Sequence, residues 1–373
     1  MNIIWLCSWY PNTEDKFRGD FIQRQAVAVS AFADIEVVHI VFCERNEKLI
    51  MKVNDHLTEN IFYIKRKNRA ADLIAYYAIH SNFLKKYIEK KGSPHLVHVQ
   101  IPLKSGLIAM QWKNNFNIPY VITEHYGIYN KTVEDNYQQR SFFFRYFTKA
   151  IFRSAAYLLP VSKSLGREIN EMVLKKEFMP VPNVVDTTLF NYRQNGPIEK
   201  IRFVHVSNMA PLKNVKGILE AIAEVAKKRN DFEVLFIGNK PDDILQQAEA
   251  LNLLNTCCQF ESEISYQDVA THVKKSHAGL LFSTTESQSC VVLEWLCSGL
   301  PVITSAVGGV VELITKDNGI LVPSGDIKAL AKAIHNMIDN YKNYNREKIS
   351  EDAISQYSYE AVGKKFYDIY NKV

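Results

Sequence analysis

Short apolar runs alternate with amphipathic helical stretches along this whole chain, and the alternation restarts after residue 190. Residues 2–7 (NIIWLC), 36–42, 96–100, 119–123 and 157–161 are continuous or nearly continuous apolar runs. Such runs suit strands buried on both faces, as parallel sheets flanked by helices require. Between them, 20–33, 71–91, 104–114 and 138–154 carry helical periodicity. After a polar stretch at 191–200 (NYRQNGPIEK, with Gly196 and Pro197), strands are expected at 201–207, 232–238, 278–283 and 301–305. Helices are expected at 214–228, 241–252, 289–298 and 326–341, with a helical turn at 309–314 and a terminal helix at 359–373. The pattern predicts two doubly wound α/β units joined by a linker, with a cleft between them for a substrate gripped from both sides.

Composition narrows the class. The chain has 373 residues, 47% of them hydrophobic, which is a globular composition too long for one core. No apolar stretch is long enough to span a membrane, and the first apolar run is too short for a signal peptide. The six cysteines form no C-x-x-C pair, so buried free thiols in a reducing cytoplasm are expected. Residues 1–190 hold 25 Lys and Arg against 18 Asp and Glu, whereas the remainder holds 20 against 22. A basic first half suits anionic lipid, an anionic acceptor or nucleic acid, and equally an ordinary solvated surface. RSFFFRYFTKAIFR (140–153) interleaves aromatics with cations. It fits a membrane-surface helix or a core helix, and the spread of aromatics over more than one face favours the core.

The most informative stretch is 283–314, STTESQSCVVLEWLCSGLPVITSAVGGVVELI. Glu286 closes a loop after a strand, and Glu294 sits about a turn into the next helix. Ser289, Cys290 and Val291 open that helix, and a helix start is a seat for a phosphate. A carboxylate beside it can accept hydrogen bonds from sugar hydroxyls, although two solvated glutamates would give the same spacing.

The segment resembles glycosyltransferase family 4, whose members are retaining enzymes of GT-B fold. The resemblance rests on Ser283, Glu286, Glu294, Gly299-Leu300-Pro301-Val302, Gly308-Gly309 and Glu312. It extends to PNVVDTTLF (182–190), to PVSK (160–163) and to SWYPNTEDKFRGDFIQRQAVAV (8–29). HVSNMAPLKNVKGILEAI (205–222) is similar to the family's phosphate loop, with Lys213 as its lysine and Ser207-Asn208 where Gly-Arg is usual. His125 in VITEHYG (121–127) matches the family's cleft histidine. His98, in mid-strand, is a weaker candidate, and Gly19 is a glycine whose backbone can approach a phosphate.

The resemblance implies an acceptor-binding domain over 1–190, with the C-terminal helix at about 355–373, and a donor-binding domain over 197–354. It implies Glu286, His125 and Lys213 as catalytic residues, with Glu294, Asn208, Gly19, Ser289, Cys290 and Val291 binding the donor. No metal and no cofactor are expected, the nucleotide-sugar being a substrate. The other partners are a carbohydrate or lipid-linked acceptor and, through the basic first half, the inner face of a membrane. Nucleic acid is not among them. Lys213 is expected on an exposed loop, contributing little to stability. Two rival readings remain open here: a nucleotide-sugar epimerase of the same fold, and an inactive homologue serving as a scaffold.

Overall fold

A computed structural model describes residues 1–194 and 199–373. Residues 195–198 of the expected linker, Gly196 and Pro197 among them, lie outside the described residues. The chain divides into two compact units, 1–184 with 359–373, and 185–358. Residues 185–190 and 355–358, placed with the first domain on sequence grounds, thus cluster with the second.

The first unit runs β1 (Asn2–Cys7), α1 (Asp20–Ser30), β2 (Asp34–Cys43), β3 (Glu47–Asn54), β4 (Leu57–Lys65), α2 (Arg69–Lys91) and β5 (Leu96–Gln100). It continues through α3 (Leu103–Phe116), β6 (Tyr120–Glu124), α4 (Phe142–Ser154), β7 (Leu158–Pro160) and α5 (Lys163–Met172). Its sheet has the order β3-β4-β2-β1-β5-β6-β7. All neighbours are parallel except the edge strand β3, which runs antiparallel to β4. The sequence pattern missed this edge pair. β3 is almost wholly exposed: its short Leu49-Ile50-Met51 run lies among charged and polar residues and buries little, so it does not read as a strand covered on both faces. β4 buries the polar Glu59 and Asn60. Tyr10 and Gln23 donate to Glu59, and the Asn60 amide donates to Glu36 and to the Val37 carbonyl.

The second unit runs β8 (Ile201–Ser207), α6 (Val215–Ala226), β9 (Phe232–Gly238), α7 (Asp242–Ala250), β10 (Cys258–Glu261), α8 (Tyr266–Lys274) and β11 (Ala278–Leu281). Then follow α9 (Cys290–Cys297), β12 (Val302–Ser305), β13 (Gly319–Val322), α10 (Ile327–Asn340) and α11 (Arg346–Tyr357). Its sheet is all parallel, in the order β10-β9-β8-β11-β12-β13. The last helix, α12 (Tyr359–Tyr370), belongs to the first unit and packs on α1. The cysteines of the chain are free thiols, and Cys7, Cys258 and Cys297 are buried.

Helix α4 departs from the expected core helix. Ser141 caps it by accepting from the Phe144 N–H at 3.3 Å. Thr148, Ile151 and Phe152 face inward, with Phe144 half-buried. Phe142, Phe143, Tyr146 and Phe147 are exposed, at 67%, 71%, 59% and 41%. One narrow arc is all that α3 and the sheet cover, and the remaining aromatics have nothing in this unit to pack under.

Burial holds His39, His80 and His205 neutral, pushing their pKa values down to about 4. An unfolded histidine takes up its proton near pH 6.5, and these do so only near 4. Their stabilisation is therefore complete above 6.5 and is lost as pH falls, by about 1.4 kcal/mol per group per pH unit. Glu124 opposes them: burial raises its pKa to about 7, so it gains stability on acidification from 7 to its unfolded value of 4.5. It offsets about one histidine. The melting temperature should fall between pH 6.5 and 4.5 in a thermal scan, and a flat or rising profile would contradict this balance.

Candidate active site

In a parallel α/β sheet the loop that leaves each strand lies at its carboxyl end, where ligands of such folds bind. In the second unit β11 lies between β8 and β12. The loops that follow these three strands are therefore neighbours, and they carry Lys213, Glu286 and Gly308. Lys213 closes a short 3-10 turn, Pro211–Lys213, and its Nζ lies 2.6 Å from Glu286 Oε1. Ser283 Oγ donates to the same oxygen at 2.8 Å. The side chains of Lys213 and Glu286 are only 20% and 8% exposed, so the lysine is not the free loop residue expected.

Backbone bonds fix this pair. The Thr284 N–H donates to the Leu212 carbonyl at 2.8 Å, lacing the two loops together. Asn214, in left-handed conformation, caps α6 by accepting from the Gly217 N–H at 3.3 Å and so fixes the exit from Lys213. On the other side the Gly309 N–H donates to the Glu286 carbonyl at 3.2 Å. Gly308 has φ +48°, and a Cβ there would lie 1.7 Å from that carbonyl oxygen. Only glycine allows this approach. Ser305 donates to the Ser283 carbonyl, tying β12 to the same loop.

The loop after β8 has a buried anchor. His205 donates from Nδ1 to the Leu280 carbonyl at 2.9 Å, so its Nε2 accepts from Ser207 Oγ at 2.7 Å. Ser207 Oγ in turn accepts the Met209 N–H at 3.0 Å. Asn208, exposed, uses its side-chain oxygen to accept the Ala210 N–H at 3.2 Å. Its amide group is the part that can donate to a ligand. Lys216, in the first turn of α6, pairs with Asp243 at 2.7 Å, and Arg202, at the amino end of β8, pairs with Glu233 away from these loops.

Helix α9 starts at Cys290, with Ser289 buried at its N-cap and making no side-chain cap bond. Cys290 and Val291 form its first turn, half-buried. Such a start carries partial positive charge. Glu294, further along, is buried and accepts from the Tyr266 hydroxyl at 2.8 Å. Tyr266, which opens α8 and packs against Phe190, was not legible as a site residue. The structure thus joins Lys213 to Glu286 and seats Glu294 beside Tyr266.

In the first unit, His125 follows β6 and is buried. Its Nε2 pairs with Gln100 Oε1 at 3.0 Å, which puts the proton on Nε2 and leaves Nδ1 an acceptor. Among the described residues Nδ1 has no partner at full hydrogen-bonding geometry, and the Asn183 side chain beside it draws its proton affinity up. Burial outweighs that pull and lowers the pKa to about 3. His125 is a neutral imidazole at any physiological pH. Phe21 packs on its ring at 4.7 Å.

Behind it Glu124 Oε1 accepts the N–H groups of His125 and Tyr126, both at 2.9 Å, and Oε2 accepts the Tyr129 hydroxyl. His98 is a core residue, bonded through Nδ1 to the Tyr370 hydroxyl at 2.6 Å and through Nε2 to Thr123 at 2.7 Å. Its place is in the support of His125, since the Gln100 amide spans from one ring to the other. Gly19 has φ +75°, and a Cβ would lie 3.0 Å from the Trp9 backbone. The fold of its own loop therefore already requires that glycine.

Residues 190–356 match the family described as glycosyl transferases group 1, and residues 33–189 match glycosyltransferase family 4. N-acetyl-alpha-D-glucosaminyl L-malate synthase of Bacillus anthracis is 29% identical, over 57% of this chain and 58% of that protein. The putative teichuronic acid biosynthesis glycosyltransferase TuaC of Bacillus subtilis is 23% identical, over 98% of this chain and 95% of its own. Sucrose-phosphate synthase from Thermosynechococcus elongatus shares the fold with a TM-score of 0.80 at 18% identity, over 100% of this chain and 99% of that one. Anabaena HepE in complex with UDP gives 0.77 at 15% identity, over 100% of both chains.

Gly308→Ala and Gly325→Ala separate close approach from backbone strain. Both glycines have positive φ, but a Cβ at Gly325 meets nothing within 4 Å. Gly325→Ala should lose about 1 kcal/mol, and Gly308→Ala should lose more, about 3 kcal/mol, by denaturant titration. Equal losses would mean that the Glu286 loop yields freely.

Proposed function

The chain belongs to glycosyltransferase family 4, and from that premise we propose that it is a retaining, metal-independent hexosyltransferase acting from a nucleotide-sugar. The acceptor is a sugar or a lipid-linked sugar, in surface polysaccharide or glycoconjugate assembly, at the cytoplasmic face of the membrane. The observation that carries the reading is the Lys213–Glu286 pair, held at the ends of adjacent strands and backed by Gly308. The relatives support the substrate class: HepE was solved with UDP-glucose, and TuaC is named for teichuronic acid biosynthesis.

The chemistry follows from charge. As the bond between the anomeric carbon and the diphosphate oxygen breaks, negative charge grows on the leaving diphosphate. Lys213, the α9 N-terminus and the Asn208 amide meet that charge, and Lys213 is the cation among them. The acceptor hydroxyl attacks the anomeric carbon from the face the diphosphate leaves. Attack on that same face keeps the donor's anomeric configuration, and the acceptor's proton passes to the departing phosphate oxygen. Glu286 holds donor hydroxyls while its other oxygen stays with Lys213. Glu294 takes the ribose hydroxyls in place of, or alongside, the Tyr266 bond. His125 accepts from a sugar hydroxyl through Nδ1. Metal independence is supported by the lack of an Asp-x-Asp sequence.

Incubation with UDP-glucose and UDP-N-acetylglucosamine should release UDP slowly to water, undiminished by EDTA. Product NMR with an accepted sugar should show the donor's configuration. Loss of turnover in EDTA with recovery on manganese would overturn metal independence. Donor conversion without nucleotide release would indicate the epimerase, and no reaction with any nucleotide-sugar would indicate the scaffold. Lys213→Ala should lower kcat on the order of a hundredfold. It should also cost about 1–2 kcal/mol of stability, because Glu286 loses its partner while nearly buried. Near-normal kcat in that variant would remove the lysine from the mechanism.

A further inference from the structure

Helix α4 carries a feature that glycosyl transfer does not use. Phe142 stacks on Tyr146 with ring centres 6.2 Å apart. Phe143 meets Phe142 edge-on at 5.9 Å, and Phe147 meets Tyr146 at 5.4 Å. These four rings form one continuous exposed aromatic patch. Single exposed apolar residues are ordinary, but a contiguous patch of this kind marks an interaction surface. Arg145, Lys149 and Arg153 are exposed on the adjoining arc of the same helix, which contains no acidic residue.

We propose that α4 is a membrane-docking helix, which seats Phe142, Phe143, Tyr146 and Phe147 in the interfacial layer of an anionic bilayer while Arg145, Lys149 and Arg153 meet the lipid phosphates. The arrangement fits that occupant better than a protein. Aromatic rings settle at headgroup depth, and cations beside them gain from the negative surface potential. A protein interface depletes charge at its centre. A second copy docked on the same face would set the three cations of each chain against those of the other. The proposal specifies the surface behind the membrane contact named above and rests on that contact, but not on the transfer reaction.

The test uses the full chain in flotation with vesicles of phosphatidylcholine alone and of phosphatidylcholine mixed with phosphatidylglycerol. Wild type should float with the anionic vesicles and release at high salt. Arg145→Gln/Lys149→Gln/Arg153→Gln should weaken partitioning on the order of a hundredfold, from about fivefold per cation. Phe142→Ser/Phe143→Ser/Tyr146→Ser should abolish it, with melting temperature and donor hydrolysis unchanged in both variants. Should a triple variant not fold, Phe142→Trp reports alone: its emission should shift blue on anionic vesicles and be quenched by brominated lipid. Wild type left behind by anionic vesicles overturns the docking while leaving the transferase reading intact. Flotation unchanged in both variants, or a Phe142→Trp signal indifferent to vesicles, moves the contact off α4. A dimer that becomes a monomer in the serine variant, without vesicle binding, assigns the patch to a second copy.

Discussion

A lysine and a glutamate that meet 2.6 Å apart set the geometry of the second unit's site. A largely buried ion pair is a poor source of stability, since desolvating the charges offsets most of their attraction. Its value lies in placement. Neither side chain can move without leaving the other charge nearly buried and alone, so the pair behaves as one rigid group. The surrounding bonds serve the same end: the Thr284 N–H ties the two loops together, Gly309 holds the Glu286 carbonyl, and His205 anchors the loop after β8 through Ser207. Catalysis by fixed charge requires that rigidity, because a cation that must reorganise as the diphosphate leaves gives back much of what it contributes.

The first unit uses the same device with different groups. His125 is held neutral by burial and oriented by Gln100, and Glu124 organises the turn that follows by accepting two backbone N–H groups. A neutral imidazole with its proton on Nε2 offers Nδ1 as a hydrogen-bond acceptor and is not a cation. That suits a residue that positions a sugar hydroxyl and would not suit one that binds a phosphate. The reach of this network to Tyr370 links the last helix of the chain to the strand ends of the first unit.

What the sequence revealed depended on how far apart the interacting residues lie along the chain. Ser283, Glu286 and Glu294 fall within one segment, so a motif could carry them, as could Gly308-Gly309 for the tight approach to Glu286. Partners that meet across the fold were invisible: Tyr266 is 28 positions from Glu294, and Tyr370 is 272 from His98. His98 was legible as a polar residue in a buried strand, but only its partners show that it supports His125. Strands β3 and β4 were missed because the apolar residues of the exposed edge strand sit among charged ones and Glu59-Asn60 interrupt β4, so neither reads as a strand covered on both faces. Helix α4 was misread because aromatics spread over two faces look like core, whereas burial is decided by how much of the helix its neighbours cover. The parallel strands and the helices between them were legible because period and apolarity agree there.

The central claim is that Lys213 and Glu286 act as one preorganised unit on the donor. A double-mutant cycle on donor turnover, with Lys213→Ala, Glu286→Gln and the two combined, measures this directly. Groups that act together give non-additive losses, so the combined variant should lose little more than the worse single variant. Losses that simply multiply would mean that the two residues work independently, and that the contact between them is incidental to the reaction.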